Sequence, residues 1–118
     1  MIKLIALLKR RPELTLEEFQ TYYEQQHVPL FARSIPPEVA DAIVYYVQNH
    51  SVQLPGSTSD PPYDVVTEFG FDDIEGMRAW TTWYLGPEGK VLRDDEDNFM
   101  DKSKRVVVVT EEHRLPHR

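Results

Sequence analysis

The sequence contains no cysteine in 118 residues. That excludes disulfides, thiolate metal centres and a cysteine nucleophile, and it suits a reducing compartment. Cationic side chains are in the minority: 13 Lys and Arg face 20 Asp and Glu, for a formal charge of −7 and a sequence pI near 5.0. Phosphate-rich nucleic acid and anionic membrane surfaces both require clustered Lys and Arg, so neither is an expected partner. No apolar run reaches the ~20 residues of a membrane-spanning helix, and the apolar part of MIKLIALLKRRPEL is too short for a signal peptide. Repeats, low-complexity tracts and dividing linkers are missing as well. Residues 1–118 therefore read as a single soluble domain, expected in the cytoplasm.

Several kinds of site are excluded by missing motifs. There is no HExxH or comparable ligand spacing for a metal, no GxGxxG or GxxxxGK[ST] for a nucleotide, and no GxSxG for a serine nucleophile. The acidic run Asp94-Asp95-Glu96-Asp97 lacks the alternating ligands and central glycine of a calcium loop and reads as a solvated helix face. No metal and no cofactor is expected.

What the sequence does contain is a regular succession of elements. Ile2 to Leu8 (IKLIALL) carries Ile and Leu on both alternating faces, as a strand buried on two sides does. Thr15 and Glu18 form a capping box with Leu14 and Phe19 as its hydrophobic staple, opening a helix whose stripe runs through Phe19 and Tyr23. Pro29 predicts that this helix ends or kinks near His27, and Ser34-Ile35-Pro36-Pro37 reads as a turn. Ala42 to His50 is β-branched and aromatic, with Ile43, Tyr45 and Val47 on one face and Val44, Tyr46 and His50 on the other. Ser51 to Pro62 is a loop, and Tyr63 to Phe71 is a third strand. Asp72 and Glu75 predict a second capping box, and the helix it opens is interrupted at Gly86-Pro87 and resumes over Glu88 to Phe99, presenting Val91, Leu92, Asp95 and Phe99. Arg105 to Glu112, centred on four valines, is the last strand. The order β-α-β-β-α-β predicts an α+β, ferredoxin-like fold: a four-stranded antiparallel sheet with helices on one face.

Helices on one face leave the other uncovered, yet the first and last strands are apolar on both sides. Soluble proteins rarely leave a large contiguous apolar patch in water. The expectation is a homodimer whose two sheets face each other and enclose a cavity.

Candidates for chemistry are the histidines and the aromatics, of which there are five Phe, six Tyr and two Trp. His27 sits at the predicted helix end, where it is either a base aimed into a cavity or a cap for the helix carbonyls. His50 ends the second strand on the face of Tyr46 and is either a site residue or a strand-exit histidine held in the loop. An apolar pocket with a few polar groups suits flat aromatic ligands. Tyr22, Trp80, Trp83 and Phe99 are the side chains expected to hold one.

The stretch IKLIALLKRRPELTLEEFQTYYEQQHVPL resembles the opening of EthD-domain proteins, in which a strand ending in Lys-Arg-x-Pro leads to Thr/Ser-x-Glu-Glu-Phe-x-x-Tyr-Tyr/Trp and then His-x-Pro. YDVVTEFGFDD and NFMDKSKRVVVVTEEH are similar to the family's third strand and to its final strand with the preceding Phe-x-Asp-x-Ser. The resemblance implies a dimeric α+β barrel, frequently without a cofactor, acting in aromatic polyketide pathways. Its activities there are dehydratase, cyclase, decarboxylase or anthrone oxygenase, and this sequence looks most like the dehydratase or decarboxylase type of secondary metabolism. The family's His-x-Pro histidine corresponds to His27 and its strand histidine to His50. The expected function is a cofactor-independent lyase on an aromatic polyketide, with His27 or His50 as base and Tyr46 or Tyr23 hydrogen-bonding the developing enolate. An anthrone-type oxygenase and a non-catalytic dimeric binding or stress protein are the alternatives.

Overall fold

A computed structural model describes residues 1–118. Strand β1 (Ile2–Leu8) leads to helix α1 (Leu16–Tyr22), a π-helical turn (Tyr23–His27), helix α2 (Val28–Ser34) and helix α3 (Pro37–Ala42). Strands β2 (Ile43–His50) and β3 (Val65–Phe71) follow, then helix α4 (Ile74–Leu85), a 3-10 turn (Pro87–Gly89) and helix α5 (Lys90–Glu96). A second 3-10 turn (Lys102–Lys104) precedes strand β4 (Val106–Glu111). The strands form one antiparallel sheet in the order β2-β3-β1-β4. This is the α+β, ferredoxin-like arrangement that the order of elements predicts. No helix is long and apolar enough to cross a membrane.

The start of α1 follows the sequence closely. Thr15 Oγ1 accepts from the Glu18 N–H at 3.0 Å, and the Glu18 carboxylate accepts from the Thr15 N–H at 2.9 Å. Two of the helix's orphan donors are thereby satisfied. Pro29 does not end the helix. Because it has no N–H to return to the Gln25 carbonyl, the ladder slips by one residue: the Val28 N–H reaches back five positions to the Tyr23 carbonyl, and α2 continues with Pro29 in its first turn.

Three local readings are corrected. The segment after Ser34 is not merely a turn: Pro37 begins α3, a position where its missing N–H costs nothing. The N-cap of α4 is Asp73, which accepts from the Gly76 N–H at 2.9 Å, one residue beyond the expected Asp72. A β-bulge between Ile43 and Tyr45 breaks the alternation of β2, so Ile43 packs with Tyr46 on the helix-covered face while Val44 is left exposed.

The helices cover the face bearing Leu4, Ala6 and Leu8 of β1, Val65, Thr67, Phe69 and Phe71 of β3, and Tyr46 of β2. Two apolar clusters fill this layer. Phe19, Tyr23 and Phe99 pack with Leu8 and Val65 at one end, and Phe31, Phe69, Trp80 and Leu92 pack at the other. A buried carboxylate, Asp64, accepts from the Arg10 guanidinium at 2.6 Å and from the Arg10 N–H at 2.7 Å, tying the end of β1 to the start of β3. The opposite face is open. It carries Ile5, Leu7, Val47, Val66, Val106 and Val108, crossed at one end by an ion pair between Lys3 and Glu68 at 3.2 Å. β4 lies beyond the reach of the helices, and all four of its valines are exposed.

Candidate active site

A cavity of about 260 Å³ lies inside the single chain, between the helices and the sheet. Sequence reasoning expected the enclosed space on the open side, between two sheets. The strand faces decide otherwise: β2's bulge turns Tyr46 toward the helices, where Leu4, Ala6, Phe31, Phe69, Trp80 and Leu92 build apolar walls. Two exposed lining residues, Leu85 and Val107, mark the mouth beside β4.

Three polar groups interrupt the apolar wall. The first is His27, which the π turn carries into the layer, where it is buried. Its Nδ1 lies 2.8 Å from Asp95 Oδ2, and the other carboxylate oxygen accepts from the Tyr22 hydroxyl at 2.6 Å and from Asn98 at 3.2 Å. Burial by itself raises the Asp95 pKa, but the hydrogen bonds from Tyr22, His27 and Asn98 outweigh it and hold the carboxyl below its usual range. An ionised Asp95 on Nδ1 fixes the tautomer with the proton there. Nε2, which has no protein partner, then presents a lone pair.

The second group is a hydroxyl cluster. Tyr46 donates to the Tyr23 oxygen at 3.2 Å, and Tyr23 and Thr67 share a hydrogen bond of 3.0 Å. Gln48 donates to Tyr46 at 2.8 Å, and His50 Nε2 lies 2.9 Å from the Gln48 carbonyl oxygen. With Gln48 using its amine on Tyr46, its carbonyl accepts, so His50 donates. The series of donations runs inward from His50, leaving the Tyr23 proton to go to Thr67 or, when Thr67 donates instead, into the cavity. Burial raises the pKa of both Tyr23 and Tyr46, so they act as neutral donors rather than bases.

The third group is Glu96, buried at the end of α5. It accepts from the Tyr84 hydroxyl at 2.5 Å and from Arg105 at 3.2 Å, and Lys102 lies 3.3 Å away.

The structure thus brings together His27, Tyr23, Tyr46 and Trp80 of the candidates. His50 lies outside the cavity, joined to it by a hydrogen bond to Gln48 and by edge-on packing against the Tyr23 ring, and its Nδ1 is buried without a partner. Tyr22 and Phe99 stand behind His27: Tyr22 holds Asp95, and the Phe99 ring packs 5.1 Å from the imidazole. Trp83 packs beside Trp80, away from the cavity. The acidic run reads by composition as a solvated face, yet Asp95, on the stripe with Leu92 and Phe99, and Glu96 beside it both point inward. The signal was their spacing, since both follow Leu92 by three or four residues, on the stripe that continues to Phe99.

The family model for the EthD domain matches residues 11–103. The chain belongs to the EthD-domain family. An EthD-family protein from Bacillus halodurans is 26% identical, with a TM-score of 0.65 over 96% of this chain and 99% of that one. An EthD-like protein from Ralstonia eutropha is 19% identical, with a TM-score of 0.65 over 93% and 89%. A dimeric ferredoxin-like protein of unknown function from Bacteroides fragilis is 18% identical, with a TM-score of 0.56 over 94% and 95%. No curated protein matches the chain significantly. The EthD match contains His27, Tyr23, Tyr46, Asp95 and Glu96, and ends before Arg105 and β4.

Proposed function

We propose that this EthD-domain chain is a cofactor-independent lyase acting on a flat, aromatic polyketide-like substrate. Dehydration with aromatisation, cyclisation and decarboxylation are all open to its site. The reading rests on the buried His27–Asp95 pair, 2.8 Å apart, whose unpartnered Nε2 belongs to a residue lining an apolar cavity. His27 takes a proton from an acidic C–H or phenol, and Asp95 stabilises the imidazolium that forms. The developing enolate oxygen receives a hydrogen bond from the Tyr23–Tyr46 cluster, in surroundings from which the aromatic walls exclude water. His27 serves as the base in preference to His50, because only His27 lines the cavity.

The working unit is a homodimer. The open sheet face with Ile5, Leu7, Val106 and Val108 is the surface that a second copy covers, as the dimeric state of the Bacteroides fragilis protein suggests by analogy.

The test is turnover of aromatic polyketide acids, with products identified by mass. Loss of water, loss of carbon dioxide and gain of oxygen are distinct, and gain of oxygen would indicate the oxygenase alternative. His27→Ala is expected to lower turnover by roughly 10²–10⁴-fold with the fold intact, as loss of a positioned general base does. Wild-type turnover in that variant would overturn the assignment.

A further inference from the structure

We infer that Glu96 is a second recognition point in the cavity, accepting a hydrogen bond from a ligand hydroxyl, so that the ligand is an aromatic compound bearing a phenol or enol O–H. This deepens the proposed function and rests on its reading of the cavity as the ligand site.

The Glu96 side chain retains only 9% of its exposure. Its three neighbours, the Tyr84 hydroxyl, Arg105 and Lys102, all converge on one oxygen, Oε1. Oε2 makes no hydrogen bond with the protein, although Glu96 lines the cavity. Oε2 is not among the side-chain atoms shut away without a partner, so it keeps access to the cavity, where its lone pairs accept from whatever donor enters. Arg105 and Lys102 match the ionised form, which accepts and cannot donate.

A ligand carboxylate placed at Oε2 would meet a like charge, and a bare hydrocarbon offers it no donor, whereas a hydroxyl donates to it directly. Asp95 and Glu96 are consecutive on α5, so the element that holds His27 also presents this acceptor. A ring hydroxyl on Glu96 fixes the ring in the cavity that His27 also lines.

Equilibrium dialysis at neutral pH of 2-naphthol, naphthalene and 2-methoxynaphthalene tests this on the full chain. The wild type is expected to bind 2-naphthol about tenfold more tightly than either analogue, because a site built around a hydroxyl discriminates against compounds lacking one. Glu96→Gln keeps the shape and is expected to cut that ratio below about threefold with naphthalene affinity unchanged. Tyr84→Phe, which leaves Oε2 untouched, retains the preference. Should Glu96→Gln fail to fold, the wild-type ratio still decides. Equal binding of the three compounds by the wild type, or an undiminished ratio in Glu96→Gln, overturns the assignment of Glu96 and leaves the cavity as a ligand site. Absence of binding by all three overturns the inference together with the reading of the cavity.

Discussion

The phenols around the cavity hold their protons more tightly than free tyrosine. Burial raises the pKa of Tyr22, Tyr23, Tyr46 and Tyr84 above 10.0, and for Tyr22 and Tyr84 the neighbouring carboxylates Asp95 and Glu96 push in the same direction. A phenol with a folded pKa above its unfolded value contributes stability that is complete below pH 10 and is lost as pH rises through the folded values. The expected outcome, measured by phenolate absorbance in the near ultraviolet, is that four of the six tyrosines stay protonated just above pH 10.0 in the native protein. All six would titrate together once the chain is unfolded. Full ionisation of the native protein at that pH would contradict the neutral-donor role of Tyr23 and Tyr46. At this scale the sequence was legible for residue type and less so for partner. His27, Tyr23 and Tyr46 stand out as polar or aromatic residues on apolar stripes. Asp95 is masked by its neighbours, because in a run of four acidic residues composition points outward and only the phase of a short helix points in.

The element that positions the chemistry is the α1–π–α2 segment, and its stability depends on its first turn. Removing the capping box by Thr15→Ala is expected to cost about 1 kcal/mol, the usual loss for an N-cap. Urea unfolding measures it, and an unchanged midpoint would show that tertiary packing of Phe19 and Tyr23 alone holds the segment. Capping chemistry is local, which is why Thr15 and Glu18 could be read directly. The π turn was not legible, because Pro29 announces only that a hydrogen bond will be missing. Whether the chain stops or slips by one residue depends on Tyr23 and His27 both finding places in the core, where their rings pack 5.6 Å apart. The bulge in β2 was hidden for a similar reason: Ile43, Val44, Tyr45 and Tyr46 are all apolar or aromatic, so alternation gives no mark where the phase changes. At α4 the Asp72–Glu75 spacing points to Asp72, and Asp73 takes the cap instead, without a capping-box partner three residues on.

For the whole molecule, the arrangement of layers followed from the order of elements, and the location of the cavity did not. The greasy outer face of the sheet predicts a cavity between two copies, whereas the aromatic walls gather beneath the helices of one. The outer face stays open in the single chain, and it is the surface that the proposed second copy would cover. Sedimentation should give a particle of twice 13.8 kDa, and Val108→Lys, which places a charge in that face, should shift it toward 13.8 kDa at micromolar concentration. A wild-type monomer would remove the proposed pairing while leaving the cavity within each chain intact. β4 adds a consequence for the life of the protein. It is an outer ribbon of four consecutive valines with unpaired backbone groups along one side, and such a ribbon adheres to any extended chain that meets it. Stacking two sheets face to face would leave that margin as bare as before, so the liability to polymerise with strangers belongs to each copy, mated or alone.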